Sequence, residues 1–323
     1  MTGRLLLVAC SPRVPPGLLS WPAWQALRSG PVETADADDP QLPFLREAGV
    51  DVTVVPAVDA DGLRARAAAG ETVVWLGADD ALLRAASETG SVPVEVVQGS
   101  YDPPGARLLD VVTVMDRLRS PGGCPWDAEQ THASLRSYLI EEAYEAYEAM
   151  EDDDPVGLRE ELGDVLLQVV FHARIAQESA EPWSIDEVAG DLVDKLVRRH
   201  PHVFAGASAD DLEGSWEALK AAEKGRTSVT EGVPLSQPAL SLAAKLQRRA
   251  GRIGAPVPAA DGPGGELWEA VRRCREAGVD PEEALRATAR AYRDRLAAVE
   301  ARLAEEALDP GALTADEWSS RWR

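Results

Sequence analysis

Residues 139–166 read LIEEAYEAYEAMEDDDPVGLREELGDVL. Two acidic stretches, on what read as consecutive helices parted by EDDDPVG, carry carboxylates beside leucines of the kind that fill cores. On a helix of 3.6 residues per turn, Leu135, Leu139, Glu142 and Ala146 follow at +4, +7 and +11. That phase puts Glu142 on the apolar stripe, with Glu145 three residues further along the same side. In the next helix LGDVLLQVVFHARIA is apolar around almost its whole circumference, as a buried helix would be, and Glu161 and Asp164 stand three apart in its first turns. All four carboxylates are expected to be sheltered from water.

Carboxylates converging from neighbouring helices repel one another. Burying them unpaired costs on the order of several kcal/mol each or forces protonation. A divalent cation removes that conflict. Oxygen ligands, with no cysteine and no paired histidines among them, favour Mg²⁺ or Mn²⁺ over zinc. The ordinary alternative is a pair of solvated helix faces; it suits Glu141, Glu148, Glu160 and the acidic run at 151–154, and the phase of the four relative to the leucines disfavours it for them.

Outward from this stretch, 323 residues with 45% hydrophobic content suffice for two or three domains. The opening MTGRLLLVACSPRVPPG has an apolar run shorter than a signal peptide needs, and no segment approaches a membrane span. Cys10, Cys124 and Cys274 are odd in number and form no CxxC, so a reducing, cytoplasmic setting is expected. A formal charge of −22 repels phosphate backbones, which argues against nucleic-acid and anionic-membrane partners.

Three textures divide the chain. Residues 1–103 alternate β-branched runs (LLLVAC, VTVVPA, TVVWLG, VPVEVV) with Ala- and Arg-rich stretches, predicting a small α/β domain with a mainly parallel sheet and no phosphate-cradling glycine loop. Residues 104–233 read as a helical bundle broken at SPGGCPWD, EDDDPVG, AEPWS and RRHPHVFAG. Residues 234–323 are helical again, with a break at GAPVPAADGPGG.

The middle region resembles a known family. VVTVMDRLRSPGGCPWDAEQTHASLRSYLIEEAYE, then LREELGDVLLQVVFHARIAQE, VDKLVRRHPHVF and SWEALKAAEK, look like a MazG-type nucleoside triphosphate pyrophosphohydrolase over about 120 residues in the right order. The resemblance implies an all-α fold, usually dimeric, that uses Mg²⁺ to hydrolyse nucleoside triphosphates to the monophosphate and pyrophosphate. It also implies Glu142, Glu145, Glu161 and Asp164 as metal ligands, the four already singled out by helical phase. Glu141 becomes a candidate to position or deprotonate the attacking water, with simple solvation as the alternative.

A triphosphate needs cations, and the only lysines are Lys195, Lys220, Lys224 and Lys245. Lys195 and Arg199 share a helix face at i,i+4 and are candidate phosphate donors, while Arg198 lies about 100° away and reads as a surface charge. Trp216 and Lys220 are candidates to stack on a base and meet a phosphate, although a Trp at this spacing is more often core. Trp126 is expected to anchor its loop and Asp127 to cap the following helix. Glu129 and His132 form an ExxH, but di-iron bundles need two copies; His172 reads as a near-core histidine, and His200 and His202 are too cramped for a usual zinc pair.

The C-terminal region can be laid on the middle one with Arg295 opposite Arg199, Ala291 opposite Lys195, and Glu266 and Glu269 in GELWEAVRR as the only remaining carboxylates. It looks like a decayed second copy, structural or dimer-forming, because two carboxylates cannot enclose Mg²⁺ as four do. The competing functional reading is a non-catalytic interaction module whose acidic face binds a partner. A retired site should have lost a ligand or its cationic helix, and the middle region has lost neither.

Overall fold

The structure is a computed structural model that describes residues 3–77, 84, 92–206 and 228–322. The chain forms two compact units, Met1–Leu196 and Val197–Arg323. Among the described residues no helix is long and apolar enough to cross a membrane.

The first unit opens with a five-stranded sheet, β1 (Arg4–Ala9), β2 (Val32–Thr34), β3 (Val52–Val54), β4 (Thr72–Leu76) and β5 (Val94–Gln98), in the order β3-β2-β4-β1-β5. Every pairing is parallel. Alternation along β1 explains why it is apolar throughout: Leu6 and Val8 join one core layer, Leu5 and Leu7 the other, and all four are almost fully buried. Helices α1 (Trp21–Leu27) and α2 (Leu42–Glu47) supply Leu27, Leu42 and Leu45 to the first layer; α3 (Ala60–Ala68) supplies Leu63 and Ala67 to the second. The strand runs read from the sequence correspond to β1, β3, β4 and β5. They omit β2, whose three residues after Pro31 include Glu33 and are too short for a periodic signal, yet it lies between β3 and β4.

Arg13, in the loop after β1, joins the sheet to the helices: it pairs with Asp102 at 2.6 Å and with Asp110 at 2.5 Å, the latter on α4 (Arg107–Arg119). From there the chain is helical: α5 (Pro125–Glu129), α6 (Arg136–Glu151), α7 (Pro155–Ala176), α8 (Ile185–Arg199) and the short α9 (Pro201–Phe204). Interruptions fall in the predicted segments. Asp154 caps α7 by accepting from the Val156 and Gly157 amides, and α6 and α7 form a hairpin across residues 152–154. Met115, Leu135, Val170 and Phe171 form the core between α4, the start of α6 and α7.

The turn after α4 depends on glycine. Gly122 has φ +81°, and a Cβ on Gly123 would lie 2.3 Å from the Arg117 carbonyl oxygen, so only glycines let the chain fold back over the helix end. Arg119 locks the result. Its side chain is 5% exposed and donates to the carbonyls of Asp127 at 2.5 Å and Gln130 at 3.0 Å, while Nε and Nη2 grip the Glu178 carboxylate at 3.0 and 2.9 Å. Phe171 lies under the guanidinium. Arg174 adds bonds to Glu178 and to Asp116.

Two expectations are corrected here. Helix α7 is not buried all round: Leu162, Leu167 and Val169 are exposed, as are Tyr138, Ile140, Tyr144 and Met150 on α6, because α4 covers only one side of the hairpin. Asp127 caps nothing. It lies in the first turn of α5, where Cys124 holds the cap position, and α6 follows Leu135 without a side-chain cap. Trp126 does anchor its segment, meeting Tyr138 and Phe171 edge to face.

The second unit contains α10 (Ala239–Arg252), α11 (Gly262–Glu276), α12 (Pro281–Glu305) and α13 (Ala315–Arg321). Gln247, fully buried on α10, donates to the Trp268 carbonyl and accepts from Arg275, tying α10 to α11 through satisfied polar groups. Asp280 caps α12, and Thr314 with Glu317 forms a capping box on α13.

Replacing Arg119 leaves carbonyls and a carboxylate without their shared donor. Arg119→Ala is expected to lower the unfolding free energy by about 3 kcal/mol in urea titrations. Hydrogen bonding to Arg119 and its charge hold the Glu178 carboxyl below its ordinary range. Its contribution is therefore present above the ordinary value of 4.5 and lost as the pH falls through the lowered one, so the gap between wild type and variant should narrow in acid.

Candidate metal centre

Helix α6 brings Glu142 to its half-buried side because Leu135 and Ala146, in the same stripe, are buried against the core. Glu145 lies on that side but is exposed in the single chain, which corrects the expectation that all four carboxylates are sheltered. On α7, Glu161 and Asp164 are half-buried; Glu141 is exposed. The hairpin brings carboxylate oxygens of Glu142, Glu145 and Glu161 within 4.8 Å of one another.

Their electrostatics fit converging negative charges. Desolvation first, then the charges of Asp164 and Glu145, push the Glu142 carboxyl up from its ordinary value. Glu161 shifts the same way, through desolvation and then Glu145 and Asp164. Among the described residues no basic side chain pairs with any of the four. Glu269 on α11 is the opposite case: Arg272 grips both its oxygens and its carboxyl is lowered. An all-oxygen set with repulsion unrelieved by arginine is chemically suited to a hard divalent cation.

Lys195 and Arg199 lie one turn apart on α8, both half-buried, with Arg198 exposed. Trp216 and Lys220 lie outside the described residues. The ExxH reading fails on geometry, since Glu129 ends α5 and His132 lies beyond it, off the helix. His132 instead meets His172, Nδ1 to Nδ1, at 2.8 Å. Neither that contact nor the Arg119 clamp was singled out by motif spacing, which reports residues on one helix face and not partners 40 or 59 positions apart.

The raised carboxyls carry a testable sign. An unfolded glutamate loses its proton near 4.5, whereas the folded cluster holds protons to higher pH, so its contribution to stability is lost as the pH rises through the folded values. Glu142→Gln is expected to leave the cation-free protein as stable as wild type or more so at neutral pH. Thermal melts in chelator at pH 5 and 7.5 should show its advantage larger at the higher pH.

Residues 130–204, spanning His132 and both acidic helices, match the family described as "MazG nucleotide pyrophosphohydrolase domain". Over 234 residues, 69% of this chain and 96% of the relative, the chain is 56% identical to the "Uncharacterized 26.1 kDa protein in blaB 3'region" of Streptomyces cacaoi. A protein named "Nucleoside triphosphate pyrophosphohydrolase" from Mycobacterium tuberculosis is 43% identical over 232 residues, 68% of this chain and 69% of that one. "Nucleoside triphosphate pyrophosphohydrolase/pyrophosphatase MazG" of Thermotoga maritima is 38% identical over 245 residues, 68% of this chain and 95% of the relative. The paired acidic helices and these relatives lead to one conclusion: the chain belongs to the MazG family of nucleotide pyrophosphohydrolases.

Proposed function

We propose that this chain hydrolyses ribo- or deoxyribonucleoside triphosphates to the monophosphate and pyrophosphate, dependent on Mg²⁺ with Mn²⁺ as a substitute, and serves nucleotide-pool housecleaning in the cytoplasm. The observation that carries the reading is the convergence of Glu142, Glu145 and Glu161 oxygens within 4.8 Å, with Asp164 alongside, and no basic partner among the described residues. A partner-binding acidic face would not need carboxylates directed at one another.

In this reading Glu142, Glu145, Glu161 and Asp164 hold the ion. When bound, it would neutralise phosphate charge and make a water more acidic. Glu141, one residue before Glu142 and open to solvent, orients or deprotonates the water that attacks the α-phosphorus. Lys195 and Arg199 draw the phosphates by a point charge and a planar fork, and Trp216 and Lys220 are assigned to base and phosphate by resemblance.

The exposed apolar residues of α6 and α7 support a homodimer in which a second copy covers Ile140, Tyr144, Leu162 and Val169. The domains proposed are an α/β domain at 1–103, a catalytic bundle at 104–233 and a decayed second copy at 234–323. For the last, residues 254–261 form no helix where an acidic helix would precede α11, and Glu269 is occupied by Arg272.

Phosphorus NMR of a reaction with Mg²⁺ should show the monophosphate and pyrophosphate as first products; a diphosphate with orthophosphate would contradict attack at the α-phosphorus. Glu142→Ala and Asp164→Ala should abolish turnover in folded protein, and near-normal rates in either would remove the ligand assignment. Glu266→Gln with Glu269→Gln should leave kcat within about twofold, under roughly 0.5 kcal/mol in barrier. Loss of activity in that folded double variant would mean that the second unit supplies catalytic groups.

A further inference from the structure

The contact between His132 and His172 lies outside the acidic cluster and has no part in the reading above. The ring planes are 21° apart, the centroids 5.1 Å apart and the Nδ1 atoms 2.8 Å apart, so the rings meet edge to edge through those nitrogens. Trp183, in the connection between α7 and α8, lies parallel to the His132 ring at 6.5 Å. Three segments thus meet at His132: the run from α5 to α6, helix α7, and the start of α8.

Two imidazoles facing through the same nitrogen form a hydrogen bond only when one Nδ1 carries a hydrogen and the other a lone pair. The neutral pair meets this with one ring in the Nδ1–H tautomer and the other in the Nε2–H tautomer. One added proton meets it too, because an imidazolium then donates to a neutral ring. A second added proton sets N–H against N–H and brings two positive charges together, so the bond is lost.

The charged groups on the surrounding elements have other engagements or are solvated. Arg119 is paired with Glu178, Arg174 with Asp116 and Glu178, and Glu187 accepts from Ser184. Arg136 donates to the Ala133 carbonyl; Glu129, Glu181 and Asp186 are exposed, and Asp127 is half-buried. Among the described residues none of these bonds to either imidazole.

We propose that His132 and His172 are a positioning pair for the hydrolytic site, a clasp that holds the start of α6 against α7 while it carries at most one added proton and opens on the second. His132 is three residues before Leu135, which is buried at the beginning of α6, and the same helix carries Glu142 and Glu145. The clasp therefore sets the register in which the α6 carboxylates meet those of α7. Burial and then the neighbouring His132 lower the affinity of His172 for protons below the ordinary 6.5, in keeping with a pair that resists its second proton. An unfolded His172 accepts its proton near that value, so the stabilisation is present above it and is lost as the pH falls through the lowered one.

The consequence for catalysis rests on the proposed hydrolysis, whereas the protonation chemistry does not, and the test separates them. Long-range proton–nitrogen NMR of the full chain, assigned with His132→Gln and His172→Gln, reads the tautomers of both rings. At pH 8 one should be Nδ1–H and the other Nε2–H. On acidification His172 should take up its proton at a lower pH in wild type than in His132→Gln. Two Nε2–H rings at pH 8, or titration of each ring unaffected by loss of the other, would overturn the clasp. The acid limb of kcat/KM should be shallower by one proton in His172→Gln than in wild type; an unchanged limb alongside coupled titration would overturn its hold on α6.

Discussion

A single guanidinium holds the helical region in shape. Arg119, at the end of α4, bonds at once to the carbonyls of the run from α5 towards α6 and to Glu178 just past α7. Loops do not bury their carbonyls without donors: the Asp127 carbonyl accepts from the Gln130 amide as well as from Arg119, and the Gln130 carbonyl accepts from Arg119. Everything that matters downstream follows from where that run is pinned: Trp126 reaches Phe171, His132 reaches His172, and Leu135 enters the core as α6 begins.

Two kinds of carboxylate result, distinguished by what faces them. Asp110, Glu178 and Glu269 face arginine and are held below their ordinary range. Glu142 and Glu161 lose water and then face other carboxylates, and are pushed above it. The first group stabilises the fold with its own charge. The second works against the fold, and that difference sets the cluster apart more sharply than a count of acidic residues does, in a chain whose charge is −22.

The acidic pairs were legible because helical periodicity is a property of one segment: Glu142 shares its stripe with Leu135 and Ala146 whatever lies opposite. The central strands β1 and β4 were legible for a similar reason, since strands buried on both faces read as unbroken apolar runs. Burial was less so. The apolar circumference of α7 says that the helix is suited to burial, not that the same chain covers it, and Leu162 and Val169 are exposed. Contacts between distant segments had no signal at all. Arg119 with Glu178 and His132 with His172 depend on how α4, α6 and α7 come together, and β2 on neighbours that hold three residues in line.

The sheet order has a consequence for biosynthesis. β1 is made before the other described strands, yet it sits between β4 and β5, and Leu5 has its partners at Val73 and Val94. An almost wholly apolar strand must therefore wait on the ribosome for about ninety residues, or roughly 5–20 s at ordinary elongation rates, before its second edge is covered. Pairing at such sequence separation forms slowly, and an uncovered strand edge is a template for aggregation. Synonymous codons that slow translation between β1 and residue 98 would therefore lengthen the exposure of this strand.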